Sequence, residues 1–267
     1  MTQTPYYCNI QLGDRVLVVL PVEKGVKFET YANVPFESAV KVPKNVDAMT
    51  QVSIVLTYLP ALQILQTLPY KVKHKKVLLN GGVGPVIRSL IHLCIIHGAK
   101  KIYVPCEKKY REEIRSIGGK TAGPNHHDWG PSFINEIDLV VDAIGENSYV
   151  TSRAVLNAKG FLCVIGNTDS ALKGDGLFNS LNKMVLDYRV SNADRTTVFG
   201  LMSSIDMDRE SFIQDFEYLS SLMDQGRIEP MFTKVSLDEY RNGEKSDKAT
   251  MLNAPIICDP WAEYRWG

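Results

Sequence analysis

Val77-Leu-Leu-Asn-Gly-Gly-Val-Gly-Pro-Val-Ile-Arg88 is the stretch of the chain that decides its fold. The apolar residues at its start predict a buried strand, and the residues from Val86 onward predict a helix. Between them, Gly82-x-Gly84 suits a tight turn whose bare backbone an anionic pyrophosphate can approach. The helix behind the turn adds unpaired N–H groups and a partial positive charge. The stretch therefore predicts the strand–turn–helix unit that binds dinucleotides.

The glycine fingerprint of such a unit ends in a third glycine, and Ile87 occupies that place here. The missing glycine normally lets the helix pack close to the strand, so Ile87 must shift the helix or find space elsewhere. Two hypotheses follow. In one, the fold has kept its turn and lost its ligand. In the other, the pyrophosphate is still held at the start of the unit, by Gly82, Gly84, Pro85 and Val86.

The second strand indicates which dinucleotide the unit would take. NAD-binding versions carry Asp or Glu at the end of this strand, about twenty residues after the glycines, to bond the ribose hydroxyls. Here the predicted strand ends at Val104, and the nearest acid, Glu107, comes late. Lys108 and Lys109 follow it, and a cationic pair favours the 2′-phosphate of NADPH. The alternative is that these two lysines form the solvated start of a surface helix.

Strands and helices alternate along the chain from this unit onward. Buried strands separated by helices of about ten to fifteen residues are typical of a parallel sheet covered on both faces. We therefore predict an α/β fold with a Rossmann doubly wound parallel sheet. Its predicted strands cover residues 76–79, 101–104, 137–142 and 161–165, and its predicted helices cover residues 86–97, 108–117, 149–157 and 209–225.

Both ends of the chain favour β structure. Short strands are predicted at residues 15–20, 28–32 and 38–42, and again around Val235 and Ile256. Residues 46–68 favour a helix that joins the first β-rich part to the alternating part. Pro60 predicts a kink or a break in this helix, because proline has no N–H to donate.

Composition and charge exclude several classes of function. Lys plus Arg and Asp plus Glu number 30 each, so no net charge attracts nucleic acid or an anionic membrane. The first nine residues lack the pattern of a signal peptide, and no unbroken stretch of about 18 apolar residues predicts a membrane span. The five cysteines form no CxxC pair, which argues against a disulfide framework and a zinc knot. We expect a soluble cytoplasmic protein that acts on a small molecule.

No metal site and no catalytic side chain can be named from the sequence. His126-His127 is its one histidine cluster, and adjacent histidines in such a loop are more often solvated than metal-bound. We therefore predict no metal. Asp138 and Asp142 flank a strand, where capping or turning the chain is the favoured interpretation. The proton donor of any reaction stays unknown.

Nine segments, in their order along the chain, resemble the medium-chain dehydrogenase/reductase superfamily. Gly13-Asp-Arg-Val16 resembles the GDRV turn of the family, and Asp138-Leu-Val-Val-Asp-Ala-Ile-Gly145 resembles its D-x-V-x-D-x-x-G strand. The other seven segments are residues 25–43, 55–65, 98–100, 115–119, 159–160, 164–166 and 225–230. The resemblance spans nearly the whole chain.

The resemblance implies a GroES-like β domain and a Rossmann domain, with the substrate and the nicotinamide meeting between them. We expect a partial GroES-like domain in residues 1–58, the Rossmann domain in residues 59–227 and a return to the GroES-like domain in residues 228–267. The zinc-independent quinone-oxidoreductase and enoyl-reductase branch is the most similar. It implies hydride transfer from NADPH to a quinone or an α,β-unsaturated carbonyl. Gly145 and Gly166 would let the backbone approach the cofactor at the ends of two strands.

The sequence departs from the family in three places. Twelve residues precede the GDRV turn, where the family carries most of its GroES-like domain, including zinc ligands or a proton-donating Tyr. Pro60 stands where the family often has a Thr facing the nicotinamide, and Ile87 replaces the last fingerprint glycine. These departures favour an alternative, a catalytically inactive protein of this fold that binds or scaffolds a partner. A truncated gene product is a third hypothesis.

Relatives in this family often dimerise through an edge strand of the Rossmann sheet. Residues 190–204 would form that edge here, with Val198-Phe-Gly-Leu-Met202 as its apolar part. We therefore expect a homodimer through the sheet edge, and a covered core strand is the alternative for this stretch.

Overall fold

The structure is a computed structural model that describes residues 10–18, 33–42, 44, 46–145, 148–166, 195–199, 209–242 and 254–259. Its strands are β1 (Val16–Val18), β2 (Ala39–Lys41), β3 (Lys76–Asn80), β4 (Lys101–Pro105), β5 (Lys120–Ala122), β6 (Ile137–Asp142), β7 (Leu156–Val164), β8 (Thr196–Val198), β9 (Thr233–Ser236) and β10 (Ile256–Asp259). Its α-helices are α1 (Ala48–Ser53), α2 (Leu59–Gln66), α3 (Pro85–Ile96), α4 (Arg111–Ser116), α5 (His126–Trp129), α6 (Tyr149–Ala154), α7 (Arg209–Asp224) and α8 (Leu237–Asn242).

Six of these strands form one sheet in the order β5-β4-β3-β6-β7-β8, and every neighbouring pair is parallel. Along the chain, β3, β4 and β5 follow one another outward to one edge of the sheet. The strands β6, β7 and β8 then follow one another outward to the other edge. This is the doubly wound Rossmann order, and the direction of winding reverses between β3 and β6. The predicted fold class is confirmed. Ligands of such sheets bind outside the carboxyl ends of the strands at this reversal.

The sheet is buried on both faces because its strands are apolar at successive positions. In β3, Val77 and Leu79 belong to a large core on one face, together with residues of α2, α3 and α7. Leu78 points the other way and packs in a smaller core that includes Trp129. The alternation of side chains along the strand assigns each residue to its face.

Pro60 lies inside a continuous helical run and does not break it. A π-helical turn, Ile54–Tyr58, precedes α2, and the Leu59 N–H bonds the Ile54 carbonyl five residues earlier. Pro60 is buried near the start of α2. Because proline cannot donate to the carbonyl four residues before it, a local change of hydrogen-bond register accommodates it. Where the sequence predicted a kink or a break at Pro60, the structure has a π-helical turn within a continuous helical run.

The same helical run bears on the expectation of no membrane span. Within the described part of the chain, residues 48–66 form the one helix long and apolar enough to cross a membrane, judged by length and composition. In the structure, 61% of its apolar window is buried against the rest of the protein. A helix in the core of a globular protein is buried in this way. Such a helix can also be long and apolar enough to meet the criteria for a membrane span.

Two pairs of short strands lie outside the central sheet. β1 and β2 pair antiparallel, and β9 and β10 pair parallel. They lie in the stretches for which we predicted a partial GroES-like domain, whose boundaries stay a prediction. The predicted strand at residues 28–32 lies outside the described residues.

Several predicted elements need correction. The helix predicted at residues 149–157 ends at Ala154, and residues from Leu156 onward belong to β7, which runs for nine residues. The helix predicted at residues 108–117 begins with a 3-10 turn, Lys108–Tyr110, and continues as α4. Strand β5 and helix α5 were missed, because three- and four-residue elements are too short to show a period.

Candidate functional site

The glycine turn lies at the carboxyl end of β3, beside the point where the winding reverses. Gly82 has a φ of +69°, a left-handed conformation that glycine adopts without strain, and no heavy atom lies within 4 Å of where a Cβ would stand. Gly84 caps α3 and Pro85 occupies its first turn. The first hydrogen bond of the helix is made by the Arg88 N–H to the Gly84 carbonyl. The N–H groups of Val86 and Ile87 thus lack helical partners and suit an anion.

Ile87 finds its space against Gly81. A Cβ on Gly81 would lie 3.2 Å from Ile87 Cδ1 and 2.8 Å from the Cβ of Ala143. Ile87 is buried, with 2% of its surface exposed. Ile87, which replaces the third fingerprint glycine, therefore packs into the space left by the missing side chain at Gly81.

Arg88 holds the glycine turn from behind. Its Nε donates to the Val83 carbonyl inside the turn at 2.8 Å, and its Nη1 pairs with Glu113 of α4. The residue is 7% exposed. One buried guanidinium therefore connects the turn after β3 with the helix that follows β4.

A second loop at the same edge follows β6 and is organised by Asp142. This buried carboxylate accepts hydrogen bonds from the N–H groups of Ile144 and Gly145 and from the hydroxyls of Ser148 and Ser152, at 2.6–3.2 Å. Gly145 is buried and has a φ of +97°. The interpretation of Asp142 as a residue that caps and turns the chain agrees with this geometry, because four donors surround its carboxylate.

Gly166 follows β7 and approaches the loop after β6 closely. A Cβ at Gly166 would lie 3.3 Å from the Ala143 carbonyl oxygen. Ala143 therefore stands between Gly81 and Gly166, at a point where the loops after β3, β6 and β7 meet. Side chains larger than hydrogen at either glycine would push these loops apart.

The two predicted 2′-phosphate residues lie after the carboxyl end of β4. Lys108 and Lys109 are exposed in the 3-10 turn that leads into α4. Lys109 Nζ lies 3.1 Å from Glu107 Oε2 and 4.8 Å from the centre of the Tyr110 ring. A carboxylate thus already partners Lys109, and the pair is exposed to solvent.

Beside α3, a small pocket joins segments that are distant in sequence. The Tyr58 hydroxyl lies 2.6 Å from His92 Nδ1 and 3.3 Å from the Glu229 carbonyl oxygen, and Pro85 and Met231 also line the pocket. Burial raises the pKa of Tyr58 to about 12. Burial also lowers the pKa of His92, and the charge of Arg88 lowers it further while Glu229 opposes both.

No group of three or more His, Cys, Asp or Glu side chains suited to a metal occurs among the residues that the structure describes. The rings of His126 and His127 lie 4.0 Å apart, centre to centre, at the start of α5. Cys94, Cys106, Cys163 and Cys258 are free thiols.

The structure brings all eight predicted site residues to one edge of the sheet. The turn residues Gly82, Gly84, Pro85 and Val86 follow β3, the two lysines follow β4, Gly145 follows β6 and Gly166 follows β7. Sequence reasoning missed Gly81 and Arg88. A signal for Gly81 was present, because a bulky residue at the third glycine position calls for a small one opposite it.

These features define a dinucleotide-type Rossmann fold. No protein-family model and no curated protein matches the chain. Solved structures do: an enoyl reductase, CurK, has a TM-score of 0.67 at 18% identity, over 85% of this chain and 67% of that one. The human synaptic vesicle membrane protein VAT-1 homolog-like protein has 0.66 at 15%, over 94% and 73%. Mycobacterial Rv1454c, solved as a complex with NADPH, has 0.66 at 17%, over 85% and 69%.

Quinone oxidoreductases are also among the similar structures. The chain has the fold of the medium-chain dehydrogenase/reductase superfamily, as the resemblance predicted. At these identities the likeness shows the fold, and the activities named are those of the other proteins.

Proposed function

We propose that this protein binds NADPH along the carboxyl edge of its sheet and is a zinc-free oxidoreductase that reduces a quinone or an α,β-unsaturated carbonyl. One observation carries the proposal: the open turn at Gly82, capped by Gly84 and followed by unpaired helical N–H groups, lies at the reversal of a doubly wound sheet. The similarity to enoyl reductases and quinone oxidoreductases, and to a protein that binds NADPH, supports it.

The residues present fit a dinucleotide. The side of Gly82 where a Cβ would stand is open, so an anionic group can reach the backbone there. The N–H groups of Val86 and Ile87 would face the pyrophosphate, and Lys108 and Lys109 would face the 2′-phosphate. Gly145 and Gly166 leave the backbone bare at the neighbouring strand ends. When bound, the nicotinamide supplies the hydride, and the protein supplies position and electrostatics.

Titration with NADPH and with NADH, followed by nicotinamide fluorescence or by heat, tests the binding step. We expect a Kd in the micromolar range, about −8 kcal/mol, with NADPH the tighter ligand. Oxidation of NADPH with a panel of quinones and enones then tests the reaction. Tight binding of NADPH without its oxidation would support the proposed cofactor and contradict the proposed oxidoreductase activity.

A second candidate is a protein of the same fold that binds a partner without catalysis. The observation in its favour is Pro60, which lies buried in the helical core at the position where the family often has a Thr facing the nicotinamide. This candidate predicts a partner whose binding ignores NADPH. Loss of that partner in a Gly84→Asp variant would argue against it.

A further inference from the structure

The ion pair between the buried Arg88 and the partly exposed Glu113 joins the two predicted anion-binding segments of the site. Arg88 lies on α3, directly behind the glycine turn, and bonds the Val83 carbonyl through Nε. Glu113 lies on α4, which continues from the 3-10 turn that holds Lys108 and Lys109. The Nη1 group of Arg88 pairs with the Glu113 carboxylate. No other ion pair of the described residues links these two segments.

The geometry points to Arg88 and Glu113 as positioning residues that set the preference for NADPH over NADH. This inference rests on the proposed function. NADPH would use both segments, since its pyrophosphate meets the turn and its 2′-phosphate meets the lysines. NADH has no 2′-phosphate and would use the turn alone. A link that holds the two segments at a fixed separation therefore favours the ligand that needs both.

The chemistry of the pair suits this role. A guanidinium is planar, and its Nε and Nη groups donate in fixed directions, so one side chain can hold two acceptors on different elements. Arg88 is buried and Glu113 is partly exposed, with 9% and 37% of their side chains accessible. Neither group is placed to contact the ligand in our proposal. Each acts through the segment that it holds.

Two variants, with a matched control, separate the two bonds of Arg88. Glu113→Gln weakens the link to α4 and leaves the Nε bond to Val83, so we expect NADPH affinity to fall about tenfold with NADH affinity little changed. Arg88→Lys keeps a positive charge for Glu113 and loses the Nε bond, so both affinities should fall together. Glu112→Gln, on the exposed neighbouring residue, changes the charge equally and serves as the matched control.

A variant in the core beneath α4 tests whether looser packing of this helix is enough to change the preference for NADPH over NADH. Ile114 is fully buried, and Ile114→Val loosens the packing of α4 without touching the ion pair. We expect this variant to lose stability and to keep the NADPH-to-NADH ratio of the wild type. An equal change of both affinities in Glu113→Gln, no change in either, or the same loss of selectivity in Ile114→Val or Glu112→Gln would overturn the assignment.

Hydrogen exchange without any cofactor gives a readout that is independent of the proposed function. In Glu113→Gln we expect faster amide exchange at residues 81–84 and at residues 107–110, relative to wild type and Glu112→Gln. Faster exchange confined to α4 would overturn the link. If the wild type binds neither dinucleotide, the proposed function fails, and with it the role in selectivity, while the exchange still decides whether the pair couples the two segments.

Discussion

Ile87 and Gly81 share one space at the start of the Rossmann unit. The Cβ that Gly81 lacks would stand 3.2 Å from Cδ1 of Ile87 and 3.3 Å from its Cγ1. A glycine at the end of the first strand therefore makes room for the large side chain on the first helix. This packing keeps the helix close to the strand, as the third glycine of the fingerprint normally does.

Gly81→Ala should destabilise the protein although Gly81 has no left-handed φ. The new Cβ would meet the Cβ of Ala143 at 2.8 Å, and the loops after β3 and β6 would have to separate. We expect a loss of about 1–3 kcal/mol in the free energy of unfolding, measured by urea denaturation. Gly123→Ala is the matched control, because a Cβ there makes ordinary contact with Asp128 at 3.4 Å. Equal stability of the two variants would contradict the packing described for Gly81.

The alternating part of the fold could be predicted from the sequence because its strands are buried on both faces. β3, β4 and β6 lie where the apolar runs placed them, and the turn at Gly82 was recognised from its context between a strand and a helix. The first residues of β7 were mistaken for helix. Lys159 and Gly160 interrupt the apolar pattern there, so the signal of a buried strand begins only at Phe161.

The site could be predicted only where a local rule applied. A glycine with a positive φ, such as Gly82, follows from the requirements of the turn. The bond of Arg88 to Glu113 depends on packing between two helices, and a sequence spacing of 25 residues carries no signal for it. The same holds for the hydrogen bond between Tyr58 and His92, which are 34 residues apart.

Asp142→Asn should loosen the loop after β6 more than a single lost hydrogen bond would. The carboxylate accepts from two N–H groups and two buried hydroxyls, and an amide would turn one of its acceptors into a donor that faces them. We expect a loss of roughly 3 kcal/mol in the free energy of unfolding. Ser152→Ala removes one donor and should cost roughly 1–2 kcal/mol. Denaturation of both variants shows which one loses more stability, and a smaller loss for Asp142→Asn than for Ser152→Ala would contradict this prediction.

Glu107→Gln should strengthen NADPH binding. Lys109 is paired with Glu107 across 3.1 Å, and removal of the carboxylate frees the ammonium for a 2′-phosphate. Because both side chains are largely exposed, the pair is weak, and we expect a gain of roughly two- to fivefold in affinity at low salt. NADH affinity should not change. Lys108→Ala should lower NADPH affinity alone, and a parallel change for NADH in either variant would argue against the assignment of the 2′-phosphate to these lysines.

His92 should make the protein less stable as the solution becomes acidic. Burial holds the pKa of His92 below its ordinary value of 6.5 in the folded chain. As the pH falls through about 6.5, the unfolded chain binds a proton that the folded chain does not, so the free energy of unfolding decreases. The decrease continues until the pH reaches the lower pKa of the folded state, where His92 is protonated in both states. In the folded chain, Nδ1 of His92 also shares a hydrogen bond with the Tyr58 hydroxyl, at 2.6 Å.

His92→Asn isolates this contribution, because an amide can accept from or donate to the Tyr58 hydroxyl and does not titrate. We expect the slope of unfolding free energy against pH, measured by urea denaturation between pH 5 and 7, to be shallower in the variant than in the wild type. The remaining slope includes His97, whose pKa burial also lowers. His74→Asn is the control, because His74 is exposed and has a φ of 62° that Asn tolerates. If His92→Asn left the slope unchanged, or if His74→Asn reduced it as much, His92 would not be the origin of the pH dependence.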